Sequence, residues 1–386
     1  MNVFPQHAPI DSSEPSRGLV TVDLVCDGAA FEQLLTTWDS LVASSRSHVP
    51  FLRGAWMDCW RRYAMGAGSL HVMAVRELGQ LIGIAPLMRV RRAMSDRLEF
   101  LATGPAGSDY LDLIVADGAA PRVIDALGAA LNAEQLPLYL DHLPPASNMS
   151  ALATELGRAG WTSLQASPDV CPFIPLAAHT WDSYLDSLGA AHRANVRRRM
   201  RAMASAFAME FGPIETQHAR RAALDALVRF SQHRWQTRGG TSAFPDSMLA
   251  FHHSVTRRAM SEGWLRLYAL SLNGAVVGVM YGFAIDGRFY FYQHGYDESY
   301  ARYSPGLVLM ALTIKAAIAE GLQEFDLLYG HEAYKSLWAR EQRILQRLQL
   351  FPPRITGRML HRGAETRRAL RQVAYQLGLK STHEHS

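Results

Sequence analysis

The chain has 386 residues, 48% hydrophobic and 19% charged, with a net charge of +4, which describes a globular protein with apolar material for two ordinary domains. Its three cysteines, Cys26, Cys59 and Cys171, stand at no metal or disulfide spacing; that argues against a zinc site or a disulfide framework and suits a reducing, cytoplasmic setting. No run of about 18 apolar residues exists, so no transmembrane segment is expected. Residues 1–18 lack the order of a secretory signal and read as a flexible lead-in.

In chain order, residues 19–25 read as a strand and 31–43 and 54–63 as helices carrying Phe31, Trp38, Trp56 and Trp60. Residues 71–76 and 81–91 are strands joined by a tight turn at Leu78-Gly79-Gln80. Strands at 97–102 and 111–115, a helix at 120–132, a strand at 136–141, a helix at 151–159 and extended stretches at 161–164 and 173–175 follow. The second half opens with a helical turn at 181–188 and a basic helix at 192–206. Helices at 220–238 and 247–262 come next, and then a meander of strands at 265–272, 275–285 and 288–294. Its turns, Asn273-Gly274 and Asp286-Gly287, are pairs that accept the positive φ of two-residue hairpins.

The halves repeat. HVMAVRELGQLIGIAPL laid on RLYALSLNGAVVGVMYG matches Ala74 with Ala269, Gly79 with Gly274 and Gly83 with Gly278. This predicts two similar α/β lobes, 19–177 and 178–350, followed by a basic tail, 351–386. The tail is expected to be helical and able to make peripheral contact with an anionic membrane surface, or to pack on its own lobe.

Residues 288–338 form the site-bearing unit. After the strand ending at His294, Ser304-Pro305-Gly306 opens a helix over 305–320 that is apolar on nearly all sides and ends at Gly321. A short strand, 325–328, leads into Tyr329-Gly330-His331-Glu332-Ala333-Tyr334-Lys335. Strand, helix, strand and polar loop make a βαβ unit that aims helix N–H groups at an anion.

The stretches HGYDESYARYSPGLVLM and FDLLYGHEAYKSLW resemble the BioF2-like or CelD-like acyltransferases of the GNAT (GCN5-related N-acyltransferase) superfamily, which are akin to the two-lobed Fem transferases. PFLRGAWMDCWRRY, LIGIAPLM, GSDYLDLIV and WDSYLDSLGAAHRANVRRRMR are also similar to family segments. The resemblance implies an α/β fold of two GNAT-like lobes, mixed sheets flanked by helices. It implies an acyl-CoA cosubstrate bound at Arg302, Ser304, Gly306 and Leu307, where a Gln/Arg-x-x-Gly-x-Gly/Ala pattern is usual. Here one glycine stands in that pattern, and Pro305 removes a donor. Fem-type enzymes take aminoacyl-tRNA as donor, and Lys335 resembles their last-motif lysine, implicated at phosphate or oxyanion.

Acyl transfer to an amine needs a base, donors for the tetrahedral oxyanion and a grip on the donor's phosphates. Lys335 is the candidate for the second or third; its plain alternative is a solvated loop lysine. Glu332 and His331, at the carboxyl end of a strand, are candidate bases beside water, and His294 points toward the acceptor cleft or into the core. Asp109 and Asp112, flanking Tyr110, are candidate acceptor ligands or structural acids; Tyr292 and Tyr334 are candidate substrate contacts. Arg193, Arg197, Arg198, Arg199 and Arg201 share one helix, either a phosphate or tRNA contact or a solvated face. No metal motif, Walker loop, Rossmann pattern or G-x-S-x-G is present. The expectation is an N-acyltransferase moving an acyl group from a thioester to an amine. The alternatives are aminoacyl-tRNA-dependent transfer and a non-catalytic accessory role in polysaccharide or envelope assembly.

Overall fold

The computed structural model describes residues 20–376 except 93, 94, 105, 145, 166–168, 239–243 and 331. The expected lead-in, His331 and the last ten residues of the tail lie outside the described residues.

The first half contains β1 (Val20–Val25), α1 (Gly28–Ala43), α2 (Gly54–Tyr63), β2 (Ser69–Leu70), β3 (Val72–Glu77), β4 (Gln80–Ala85), β5 (Leu87–Val90) and β6 (Arg97–Phe100). It continues with β7 (Ile114–Val115), α3 (Ala120–Glu134), β8 (Leu138–Leu143), α4 (Asn148–Arg158), β9 (Thr162–Gln165) and β10 (Asp169–Pro175). The second half contains α5 (Trp181–Ser187), α6 (Ala190–Ala206), β11 (Met209–Pro213), α7 (Gln217–Arg238), α8 (Asp246–Ser261), β12 (Leu265–Leu272), β13 (Ala275–Ile285) and β14 (Arg288–Tyr296). Then come α9 (Pro305–Ala319), β15 (Glu324–Asp326), α10 (Lys335–Trp338), β16 (Glu341–Phe351) and α11 (Ile355–Gln376).

The internal repeat is visible in the backbone. In the β3–β4 hairpin Val75 pairs with Gly83 and the register slips directly after Val75. In β12–β13 Leu270 pairs with Gly278 and the slip again follows at once. Both hairpins turn on paired left-handed residues, Leu78-Gly79 and Asn273-Gly274, the conformation required by a two-residue turn whose twist matches its strands.

Strands β1, β3, β4 and β7 form one sheet; the larger sheet runs β11-β12-β13-β14-β15-β10-β16-β8-β6-β5-β2. The halves are stitched together in its middle. β10, from the first half, lies between β15 and β16, and β16, from the second, pairs antiparallel with β8 and β9. The sequence pattern predicts nothing for β16. Its apolar positions, Ile344, Leu345, Leu348, Leu350 and Phe351, follow no strict alternation, because the strand leaves one sheet neighbour for another along its length.

Two apolar clusters hold the sheets. One fills the first half and passes under α7 and α8 to the near face of β13 and β14; the other packs α5, α6 and α9 on the far face. Trp56 joins the halves: fully buried, it packs edge-on against Phe51, Phe251, Phe283 and Tyr292. Truncating such a side chain to alanine typically costs about 3–5 kcal/mol.

Candidate active site

β14 and the short β15 run parallel over only three residue pairs, Arg288 with Glu324 through Tyr290 with Asp326. β15 then stops while β14 continues to Tyr296, and the two chains part. The end of β15 is enforced locally: the Asp326 carboxylate accepts the Leu328 amide at 2.8 Å, and Leu328 takes a left-handed φ of 55°.

α9 begins at the mouth of this divergence. Ser304, with φ 58°, turns the chain, and the Leu307 and Val308 amides both fold back onto its carbonyl at 3.1 and 3.2 Å. Pro305 has no N–H, and among the described residues no acceptor is set against that of Gly306. A side chain at Gly306 would begin 2.8 Å from the Tyr296 ring and 3.6 Å from His294 Nε2, so only glycine lets β14 approach this closely. Arg199 of α6 donates to the Arg302 carbonyl at 2.6 Å, and the Arg302 guanidinium lies over the Tyr303 ring.

His294 sits 6.0 Å from Tyr334 between ring centroids, and its Nδ1 is enclosed without a partner. Burial, reinforced by the positive charges of Arg234 and Lys335, lowers its pKa to about 4; the imidazole is therefore neutral at neutral pH. Burial raises the Tyr334 phenol above the ordinary tyrosine range, with Glu332 adding to the effect. At neutral pH Tyr334 therefore keeps its proton and has a hydrogen bond to donate, and the neutral His294 ring has a lone pair to accept one.

Lys335 is 3% exposed. Its ammonium donates to the Tyr329 carbonyl at 2.8 Å and to that of Leu328 at 3.3 Å, with Glu332 Oε2 at 3.1 Å. The three acceptors match its three protons. Gly330, at φ 151°, makes this wrapping feasible, because a side chain there would start 2.4 Å from Lys335 Nζ. Lys335 thus fixes the loop that carries Glu332 and Tyr334, and Glu332 remains largely exposed beside it.

Of the first-half candidates, Asp109 and Tyr110 reach this unit and Asp112 does not. Asp109 Oδ2 accepts the Tyr329 amide at 2.7 Å, and its Oδ1 meets His142 Nδ1 at 2.6 Å. His142 Nε2 stands 3.6 Å from Asp169, which Arg347 clamps. Burial works to lower the His142 pKa, but the Asp109 bond and the charges of Asp169 and Asp141 outweigh it and hold it above the ordinary value. Tyr110 donates to Asp326 Oδ2 at 2.6 Å, and Arg343 bridges Asp326 and Glu324. Burial pushes the Asp326 carboxyl up to about 6 against these bonds. Asp112 accepts the Leu113, Asn148 and Met149 amides and caps the start of α4. Tyr292 donates to the Ala106 carbonyl at 2.6 Å within the aromatic cluster joining the halves. His142, Asp169, Arg343 and Arg347 carry no motif spacing; only the strand exchange brings them to the site.

A helix start at a parting of parallel strands, with a buried neutral histidine beside it, is the geometry of this site. Residues 190–336 match the sequence profile of a family described as an acetyltransferase (GNAT) domain. Among curated proteins none matches the sequence. Among solved structures, FemX superposes with a TM-score of 0.59 at 12% identity, over 81% of this chain and 95% of that one. The C-terminal domain assigned to a lysylphosphatidylglycerol synthetase of Agrobacterium fabrum gives 0.53 at 13%, over 86% and 96%. L-PGS from Bacillus licheniformis gives 0.51 at 11%, over 85% and 96%. These likenesses establish a shared fold. No helix among the described residues is long and apolar enough to cross a membrane, and they contain no group of three or more potential metal ligands.

Proposed function

We propose that the protein is an N-acyltransferase that moves an acyl group from a thioester, an acyl-CoA, to an amine held where β14 and β15 part. The observation that carries this reading is the meeting of the Gly306 amide, neutral His294 and protonated Tyr334 at one helix start. The amine nitrogen attacks the thioester carbonyl; the Gly306 N–H, at the positive end of α9, faces the oxygen as it becomes negative. The nitrogen becomes strongly acidic as its bond to carbon forms, and His294 takes its proton; Glu332, exposed beside Lys335, is the other acceptor within the unit. The carbon–sulfur bond then breaks with the Tyr334 O–H hydrogen-bonded to the departing sulfur, and the proton taken up by His294 passes to the thiolate, so amide and thiol leave with atoms and charge balanced and both side chains return to their neutral forms. Lys335 supports this chemistry by holding the 328–335 loop.

An aminoacyl-tRNA donor is the second reading. It is supported by the arginine-bearing α6, whose Arg199 is fixed to the α9 entry loop, and by folds shared with FemX and L-PGS. Calorimetry with acetyl-CoA and a longer acyl-CoA decides. Micromolar binding that is lost in Gly306→Asp supports the thioester donor. No binding by a folded sample, with charged tRNA binding that weakens steeply with salt, establishes the second reading and overturns the first.

A further inference from the structure

Ile355, Met359 and Leu370 of α11 are 77%, 60% and 63% exposed. At 100° per residue they fall with Arg362 and Thr366 within an arc of about 80°, forming one strip along the helix. The opposite side does the packing. Gly357 and Ala364 are buried, α11 rests on β9 and β16, and Arg368 reaches back to the Gln165 carbonyl. The apolar strip is therefore not the face that holds the helix to the protein.

Residues 354–371 contain six arginines and one acidic residue, Glu365. Arg354, Arg358 and Arg362 are exposed beside Ile355 and Met359. Interleaved arginine and bulky apolar groups fit a surface that is negative outside and oily just beneath. A second copy would set the same positive charge against this one. A nucleic acid would take the arginines and leave the apolar strip in water.

We propose that α11 seats the protein on an anionic phospholipid surface, with Ile355, Met359 and Leu370 at the headgroup–acyl boundary and Arg358 and Arg362 against lipid phosphates. The proposal does not rest on the identity of the acyl donor.

The test is sedimentation of the full chain with phosphatidylglycerol-containing and pure phosphatidylcholine vesicles. Binding is expected to the anionic vesicles only, and to weaken at about 0.5 M salt, where the screening length falls to roughly 4 Å. Ile355→Ser with Met359→Ser should weaken it at least about tenfold, and Arg358→Glu with Arg362→Glu should abolish it. All four side chains are exposed, so an unchanged unfolding midpoint certifies the variants. The proposal is overturned by no vesicle binding, by equal binding to neutral vesicles, or by full binding of the serine variant. It is equally overturned if the arginines capture RNA but not vesicles, or if the strip instead drives self-association that the serine variant relieves.

Discussion

Asp109 is the residue through which the first half grips the site loop, and its removal has a size that follows from its contacts. It is 2% exposed and makes two bonds, to the Tyr329 amide at 2.7 Å and to His142 Nδ1 at 2.6 Å. Hydrogen bonds to a charged group contribute about 1.5–3 kcal/mol each, so Asp109→Ala is expected to lose about 3–6 kcal/mol of unfolding free energy in urea. Asp117→Ala, which breaks only an exposed pair with Arg46, should lose less than about 1 kcal/mol. Asp109→Asn retains an acceptor for Tyr329 and removes the charge facing His142, so it should fall between them. The pH dependence adds a second reading. His142 binds its proton more tightly folded than unfolded. Its stabilising contribution is therefore complete below the ordinary histidine value of about 6.5 and is lost as pH rises through the higher folded value. Wild-type stability should decline across that window, and Asp109→Asn should decline less steeply. An Asp109→Ala protein within about 1 kcal/mol of wild type, or a slope unchanged in Asp109→Asn, would refute the reasoning.

Three further outcomes are expected. Gly330→Ala should drive Lys335 from its carbonyl cage, because a side chain there starts 2.4 Å from Nζ; amine-reactive labelling read by mass spectrometry should then modify Lys335, which stays unlabelled in the wild type. Asp112 and Asp326, both raised to about 6 by burial, hold their protons more tightly folded than unfolded. Their contribution therefore falls as pH rises from about 4 to about 6, and Tyr110→Phe, which strips a hydrogen bond from ionised Asp326, should steepen that fall in urea titrations. His294→Ala should lower kcat about a hundredfold or more while leaving the KM for acyl-CoA near its wild-type value; a loss confined to KM would make the histidine a binding residue.

Much of this molecule is local and is therefore written in order along the chain. The hairpin turns at Gly79 and Gly274 need left-handed backbone, and the 195-residue offset between them is matched by equal register slips in both hairpins. Pro305 announces the start of α9 by its fixed φ and missing N–H, although Ser304 makes no side-chain cap and instead takes a left-handed φ of 58°, and Gly321, at φ 81°, announces the end. These features depend on neighbours a few residues away, which is the range a single sequence displays.

Which strand sits beside which, and hence which polar groups meet, depends on contacts across hundreds of residues. β10 enters between β15 and β16, and β16 crosses to β8; that exchange alone brings His142, Asp169, Arg343 and Arg347 to the loop holding Lys335. The same exchange turns Tyr110 toward Asp326, while Asp112, two residues on, faces away to cap α4. In the sequence the acids of GSDYLDLIV look alike. Only the tertiary structure, by choosing the partner that each can satisfy when buried, separates the one that grips the site loop from the one that caps the start of a helix.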